Sequence, residues 1–124
     1  MREEILKKFE DVDNCPVRNV LDRIGDKWSM LVILVLEEGE TLRFGEIHKV
    51  IGTISQKMLT VTLKSLEADG LVSRQVYAQI PPKVEYELTE RGKSLLPHLH
   101  GLLGWAKENQ IEIRSSREVY AMSN

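Results

Sequence analysis

Between Trp28 and Leu36 nearly every residue is apolar, and the run ends at Glu37-Glu38-Gly39. A helix that is apolar on almost all sides has to lie inside a core, not on its surface. A chain of 124 residues has room for one such core, so this segment is expected to be the hub of a single domain, residues 1–124. Hydrophobic residues at 42% and charged residues at 29% fit a globular chain and exclude a disordered one. The longest apolar run, Met30 to Leu36, falls far short of the ~20 residues that cross a bilayer, so no membrane partner is expected. The single cysteine rules out an internal disulfide, and the opening Met-Arg-Glu-Glu has no signal-peptide layout. A cytoplasmic setting is the expectation.

The remaining segments arrange themselves around the hub. Ile5, Phe9 and Val12 share one helical stripe with Leu6 beside it, an apolar edge that needs a partner surface. Asn14-Cys15-Pro16 starts a helix in which Val17, Val20, Leu21 and Ile24 recur, and Gly25-Asp26 breaks it. Thr41-Leu42-Arg43 is short and extended, and Phe44 to Val50 fits a two-turn helix with Phe44, Ile47 and Ile51 inward. After the turn Gly52-Thr53-Ile54, Ser55 caps a helix that runs to Asp69, where Gly70 stops it in the left-handed region. Leu71 to Gln79 alternates, with Val72, Val76 and Ala78 on one side, and Val84, Tyr86 and Leu88 alternate again. Ile80-Pro81-Pro82 between these runs makes a hairpin with a stiff tip. Thr89 caps the last helix, which Pro97 should bend. Residues 114–124 carry no strong pattern and are expected to be loose.

A short helix, a tight turn, a capped second helix and a two-stranded hairpin, in that order, make a winged helix-turn-helix. The fold class is therefore mostly α with a small antiparallel β-hairpin (α+β). In this arrangement the second helix enters the DNA major groove and the wing lies along the adjacent backbone. Leu59, Leu63 and Leu66 mark the inward face of the Ser55–Asp69 helix, flanked by Met58 and Thr62. The opposite face carries Lys57, Val61 and Lys64, with Thr60 beside it and Gln56 near the start. Lysines neutralise phosphate, free amides at a helix start attract it, and Gln56 and Thr60 suit base edges. Val61 suits a thymine methyl. Tyr77 and Lys83 flank the wing tip, and Arg43 reaches the same phosphate line. A net charge of −2 argues against a general nucleic-acid coat, yet no acid occurs between Lys49 and Lys64.

The motifs Cys15-Pro16-Val17, Ile24-Gly25-Asp26-Lys27-Trp28, Arg43-Phe44-Gly45-Glu46-Ile47 and Ile54-Ser55-Gln56-Lys57-Met58-Leu59-Thr60 extend this reading. They continue through Leu63-Lys64-Ser65-Leu66-Glu67-Ala68-Asp69-Gly70-Leu71-Val72 and Pro81-Pro82-Lys83-Val84-Glu85-Tyr86-Glu87-Leu88-Thr89. Over residues 15–108 the chain resembles the HxlR-type winged helix-turn-helix regulators, relatives of the MarR group. The resemblance implies a dimeric DNA-binding regulator whose terminal helices build the dimer interface. Val61 departs from the pattern, which is more often polar or basic there.

The expected dimer surface is Ile5, Leu6 and Phe9 at one end of the chain and Leu95, Leu99, Leu102, Leu103 and Ala106 at the other, with Leu96 and Trp105 adding apolar area. The partners are then a double-stranded operator of near-palindromic sequence and a second copy of the chain. Repression is favoured over activation, because so small a regulator acts mainly by occupying its site. The alternative is a winged-helix module that binds protein without DNA. Cys15 precedes a helix start, where the dipole favours a thiolate, which makes it a candidate redox sensor for an oxidant effector; the bland reading is a small buried residue. Some members of the resembled family sense oxidants through a cysteine in this region. Trp28 and Trp105 are candidates for a small-molecule pocket, with core packing favoured. His98 and His100 point apart on their helix, His48 reads as solvated, and no ligand spacing marks a metal site or cofactor. No phosphate loop or nucleophile elbow suggests an enzyme.

Overall fold

Asp26 does more than break a helix. Its carboxylate accepts the N–H groups of Trp28 (2.7 Å) and Ser29 (2.9 Å) and the Ser29 hydroxyl. These bonds satisfy donors that a helix start leaves without partners. The helix it seats, Ser29–Gly39, buries Val32, Ile33 and Leu36 almost completely. In the computed structural model, which describes residues 1–11 and 13–123, the chain divides into two compact units, Met1–Lys93 and Ser94–Asn124. Val12, expected on the apolar edge of the first helix, lies outside the described residues.

The first unit begins with α1 (Arg2–Glu10), whose residues are all exposed. A five-residue π-helical segment, Val17–Leu21, leads into the short α2 (Asp22–Ile24), and the Asp22 N–H donates to Val17 O across the wider turn. The widened turn departs from the expected 3.6-residue spacing. Val17, Val20 and Leu21 stay exposed, and only Ile24 joins the core. The hub helix Ser29–Gly39 is α3. Then come β1 (Thr41–Leu42), α4 (Phe44–Ile51), α5 (Gln56–Ala68), β2 (Val72–Tyr77) and β3 (Lys83–Leu88).

Ile47, Ile54, Leu59, Leu63, Leu66, Val72 and Leu88 close over α3, each burial contributing ~1.5–3 kcal/mol. Phe44 and Ile51 remain half-buried. The expected two-stranded hairpin is the larger part of a three-stranded antiparallel sheet of order β1-β3-β2. Thr41 pairs with Glu87 and Leu42 with Tyr86, so the short extended segment finds a partner strand. Only Val72 and Leu88, at the base of the hairpin, are buried. Val76 and Val84 pair with each other further out, where the hairpin projects past the core. The tip contains a cis Ile80–Pro81 bond, and the Ile80 side chain is fully exposed.

The junction of α5, β2 and the last helix, α6 (Glu90–Ser123), is held by hydrogen bonds around Thr89. Its hydroxyl donates to Gly70 O (2.6 Å) and accepts the Gly92 N–H (3.0 Å), while its own N–H donates to Leu71 O (3.1 Å). Gly70 sits at φ 73°, the left-handed conformation that ends α5. A Cβ on Gly92 would overlap the Leu71 carbonyl oxygen, so this close approach needs glycine.

In the second unit α6 continues through Pro97 to Ser123. The segment expected to be loose is helical because residues 105–123 hold no glycine or proline and are rich in good helix formers, which sustain a helix without an apolar stripe. Asn109 and Ser123 add side-chain bonds to the carbonyls of Trp105 and Val119. No helix among the described residues is long and apolar enough to cross a membrane.

Candidate nucleic-acid interface

The turn between α4 and α5 is fixed from both sides. Gly52 at φ 76° lets its N–H reach His48 O (2.9 Å), and His48 Nε2–H donates to Ile54 O (2.9 Å). The His48 ring also stacks on Phe44, with centroids 6.4 Å apart. His48 is thus a half-buried part of the turn, not the solvated residue expected. Ser55 then caps α5, its Oγ accepting the Met58 N–H at 3.0 Å. At the other end Arg23 Nε donates to both Asp69 carboxylate oxygens (2.9 and 2.7 Å), and Arg23 Nη2 donates to Ser65 Oγ (3.3 Å). The hydrogen bond and charge of Asp69 raise the Arg23 pKa further. With both ends held, the rotation of α5 about its own axis is set by its buried face.

That face is Leu59, Thr62, Leu63 and Leu66. Gln56, Lys57, Val61 and Lys64 are exposed, as the 100° periodicity implies. Thr60 is half-buried on the flank toward the sheet, and its hydroxyl donates to Gln56 O (2.9 Å) instead of pointing freely outward. On the other flank Met58 and Val61 border an open groove of about 410 Å³ with Trp28, whose ring lies 4.8 Å beneath Lys27 Nζ. Trp28 is therefore half-buried on a groove wall, and Trp105 is 56% exposed, so neither is the core residue favoured from sequence. Arg43 is exposed at the start of α4, where its N–H donates to the Glu46 carboxylate at 2.8 Å.

On the wing, Tyr77 and Lys83 are directly paired across β2 and β3. Lys83 Nζ lies 3.5 Å from Glu85 and 5.1 Å over the Tyr77 ring. The hydrogen bond from Tyr77 to Glu85 raises the phenol's pKa. Both side chains expected to grip phosphate are thus already engaged within the wing. Sequence reasoning passed over Arg74, which is exposed on β2 and shares a cleft with Lys64 of α5. Its signal is its place in the first half of the hairpin, away from the charged tip.

The candidate dimer residues fall into two sets. Ile5, Leu6 and Phe9 are exposed on α1, and Leu102 is exposed on α6, with Leu95, Leu103 and Ala106 half-buried. Leu99 is only 6% exposed in the single chain, so it is already covered and offers no surface to a partner. Cys15 is likewise buried, at 1% exposure, in a packing position and not an accessible one. The Asn14 amide hydrogen bond holds the nearby Asp11 carboxyl below its usual range, which keeps a negative charge close to the thiol's segment. Among the described residues no group of three or more His, Cys, Asp or Glu could hold a metal ion.

A capped helix with one buried and one exposed polar face, preceded by a helix and a tight turn and followed by a wing, is the geometry that places a helix in a groove. The family model described as HxlR-like helix-turn-helix matches residues 23–114. An uncharacterized HTH-type transcriptional regulator of Halalkalibacterium halodurans is 47% identical over 103 residues, covering 83% of this chain and 91% of the relative. Among solved structures, the reduced form of the redox regulator HypR is 43% identical with a TM-score of 0.74, covering 81% of this chain and 98% of its own. The reduced form of the transcriptional regulator YodB from B. subtilis is 40% identical with a TM-score of 0.67, covering 76% and 92%. The chain belongs to the HxlR-like, MarR-related family of winged helix-turn-helix transcriptional regulators.

Proposed function

We propose that the protein binds a near-palindromic DNA operator as a homodimer, reads it with α5, and represses transcription by occupying the site. The observation that carries this reading is the outward ridge of α5. Gln56, Lys57, Val61 and Lys64 are exposed together, while the opposite face of the same helix is locked into the core. In this reading Lys57, Lys64 and Arg43 neutralise phosphates, Gln56 addresses a base edge, Val61 meets a thymine methyl, and Thr60, its hydroxyl proton given to Gln56 O, is left with only acceptor capacity toward a base. Ser55 contributes through its cap, which orients the free amides of the first turn. Tyr77 and Lys83 stand beside the backbone as an engaged pair. The chain performs no covalent chemistry in this role.

The dimer rests on the apolar side chains left exposed on α1 and α6, which a soluble chain normally covers. A two-fold axis would set the two α5 helices about 34–36 Å apart, one turn of DNA. HypR is described as a redox regulator; here Cys15 is buried, which suits a packing role.

Selection from random DNA followed by binding across a salt series tests the proposal. Lys64→Ala should weaken binding equally on all sequences and lower the salt slope by about one. Gln56→Ala should relax preference at one base pair by ~1–3 kcal/mol. Recovery of no sequence, together with binding indifferent to salt, would favour a winged-helix module that pairs only with protein.

A further inference from the structure

The wing has two cationic positions that face different surroundings. Lys83, near the tip, is paired with Glu85 and lies over Tyr77. Arg74, at the base, is exposed, and among the described residues neither it nor Lys64 forms an ion pair. These two cations line one cleft of about 290 Å³ between α5 and the sheet, with Phe44, Leu63 and Tyr86 as its apolar and aromatic walls. Arg74 is held in register opposite Tyr86 on β3, and Lys64 is held by a helix whose far face is core. A third charge, Glu67, stands one turn from Lys64 on the same wall. The cleft therefore carries two positive groups against one negative group. Two unpaired cations lining one cleft repel one another, an arrangement that an anion between them relieves.

We infer that Arg74 and Lys64 form a seat for one phosphodiester of the DNA backbone at the base of the wing, with Glu67 as a built-in counter-charge that limits its affinity. The inference rests on the DNA-binding reading above and deepens it. Arg74 supplies a planar guanidinium able to bond two phosphate oxygens at once, and Lys64 supplies a point charge from the opposite wall. The phosphate belongs to DNA and not to a free anion, because the cleft adjoins the same helix that exposes Gln56 and Lys57. A strand entering the cleft would thus lie beside the groove that α5 enters. The wing grips at its base through Arg74, and Lys83 at its tip is secondary.

The experiment measures anisotropy of the selected operator and of a scrambled duplex, from about 50 to about 200 mM salt, for the full chain. Arg74→Gln should lose roughly tenfold in affinity on both duplexes and lower the salt slope by about 0.9. Arg74→Lys should restore the slope and part of the affinity. Glu67→Gln should tighten binding several-fold on both duplexes, and inorganic phosphate at matched ionic strength should compete no better than chloride. Circular dichroism confirms that each variant folds, and Glu67→Gln tests the seat by a gain that misfolding cannot mimic. If Arg74→Gln and Glu67→Gln both match wild type while Lys57→Ala weakens binding, the seat is overturned and the DNA-binding reading stands. If the Arg74→Gln loss is confined to the operator, Arg74 reads bases and the seat is again overturned. Selective competition by inorganic phosphate would make it a free-anion site. If wild type binds neither duplex at low salt, the underlying reading fails and the seat with it.

Discussion

Replacing Asp26 by Ala removes three hydrogen bonds at the start of the hub helix. Two come from the Trp28 and Ser29 N–H groups, and loss of such a cap costs about 1 kcal/mol. The third comes from the Ser29 hydroxyl, which belongs to a residue only 2% exposed and would be left buried without its acceptor. That adds ~1–3 kcal/mol, and because the bonds share one carboxylate the terms do not simply sum. The expected loss is about 2–3 kcal/mol in urea denaturation at neutral pH, with an unchanged dependence on denaturant. Removing the stranded hydroxyl as well, in Asp26→Ala/Ser29→Ala, should recover about 1 kcal/mol. Burial pushes the Asp26 pKa up, but the hydrogen bonds from Ser29 and Trp28 outweigh it and hold the carboxyl below its ordinary value. A depressed pKa means a contribution fully present above the unfolded value of about 3.9 and lost as pH falls through the folded one. The gap between wild type and Asp26→Ala should therefore be constant from pH 7 to about 5 and narrow below about 4. A loss under about 0.5 kcal/mol at pH 7, or a gap that widens in acid, would refute the reasoning.

Gly92→Ala should destabilise the chain by about 1–3 kcal/mol in the same assay, since the new methyl meets the Leu71 carbonyl oxygen; an unchanged midpoint would show that the backbone yields there. Leu102→Glu combined with Trp105→Glu, both at exposed positions, should halve the mass seen by light scattering at micromolar concentration while the helical signal is kept. Leu99→Glu should instead lower stability, because Leu99 is already buried in the single chain. Lys83→Ala should weaken operator binding less than Lys64→Ala in the same salt series, because Glu85 and Tyr77 already hold Lys83. An equal or larger loss at Lys83 would place the main phosphate contact at the wing tip.

Much of this protein is local, and what is local is legible in the residues. Ser55 and Thr89 cap because a hydroxyl before a helix start has an orphan N–H within reach, and Gly70 ends α5 because it adopts a positive φ at no steric cost. The outward ridge of α5 follows from its leucine spacing, because a 3.6-residue period fixes which side chains oppose the core. The family follows from motifs that keep these local devices in order. Tertiary structure decided what depends on neighbours distant in sequence. Thr41 and Leu42 became a third strand only because β3 offered an open edge to them. His48 was drawn into the α4–α5 turn by a carbonyl six residues on, and Lys83 was taken up by Glu85 and Tyr77 across the hairpin. Arg74 joined Lys64 in one cleft although they stand ten positions apart in sequence with a helix end between them. Leu99 and Leu102, alike in sequence, parted into covered and open positions. Periodicity says which side of an element a residue takes; what waits on that side is set by packing among elements, and only the folded chain contains it.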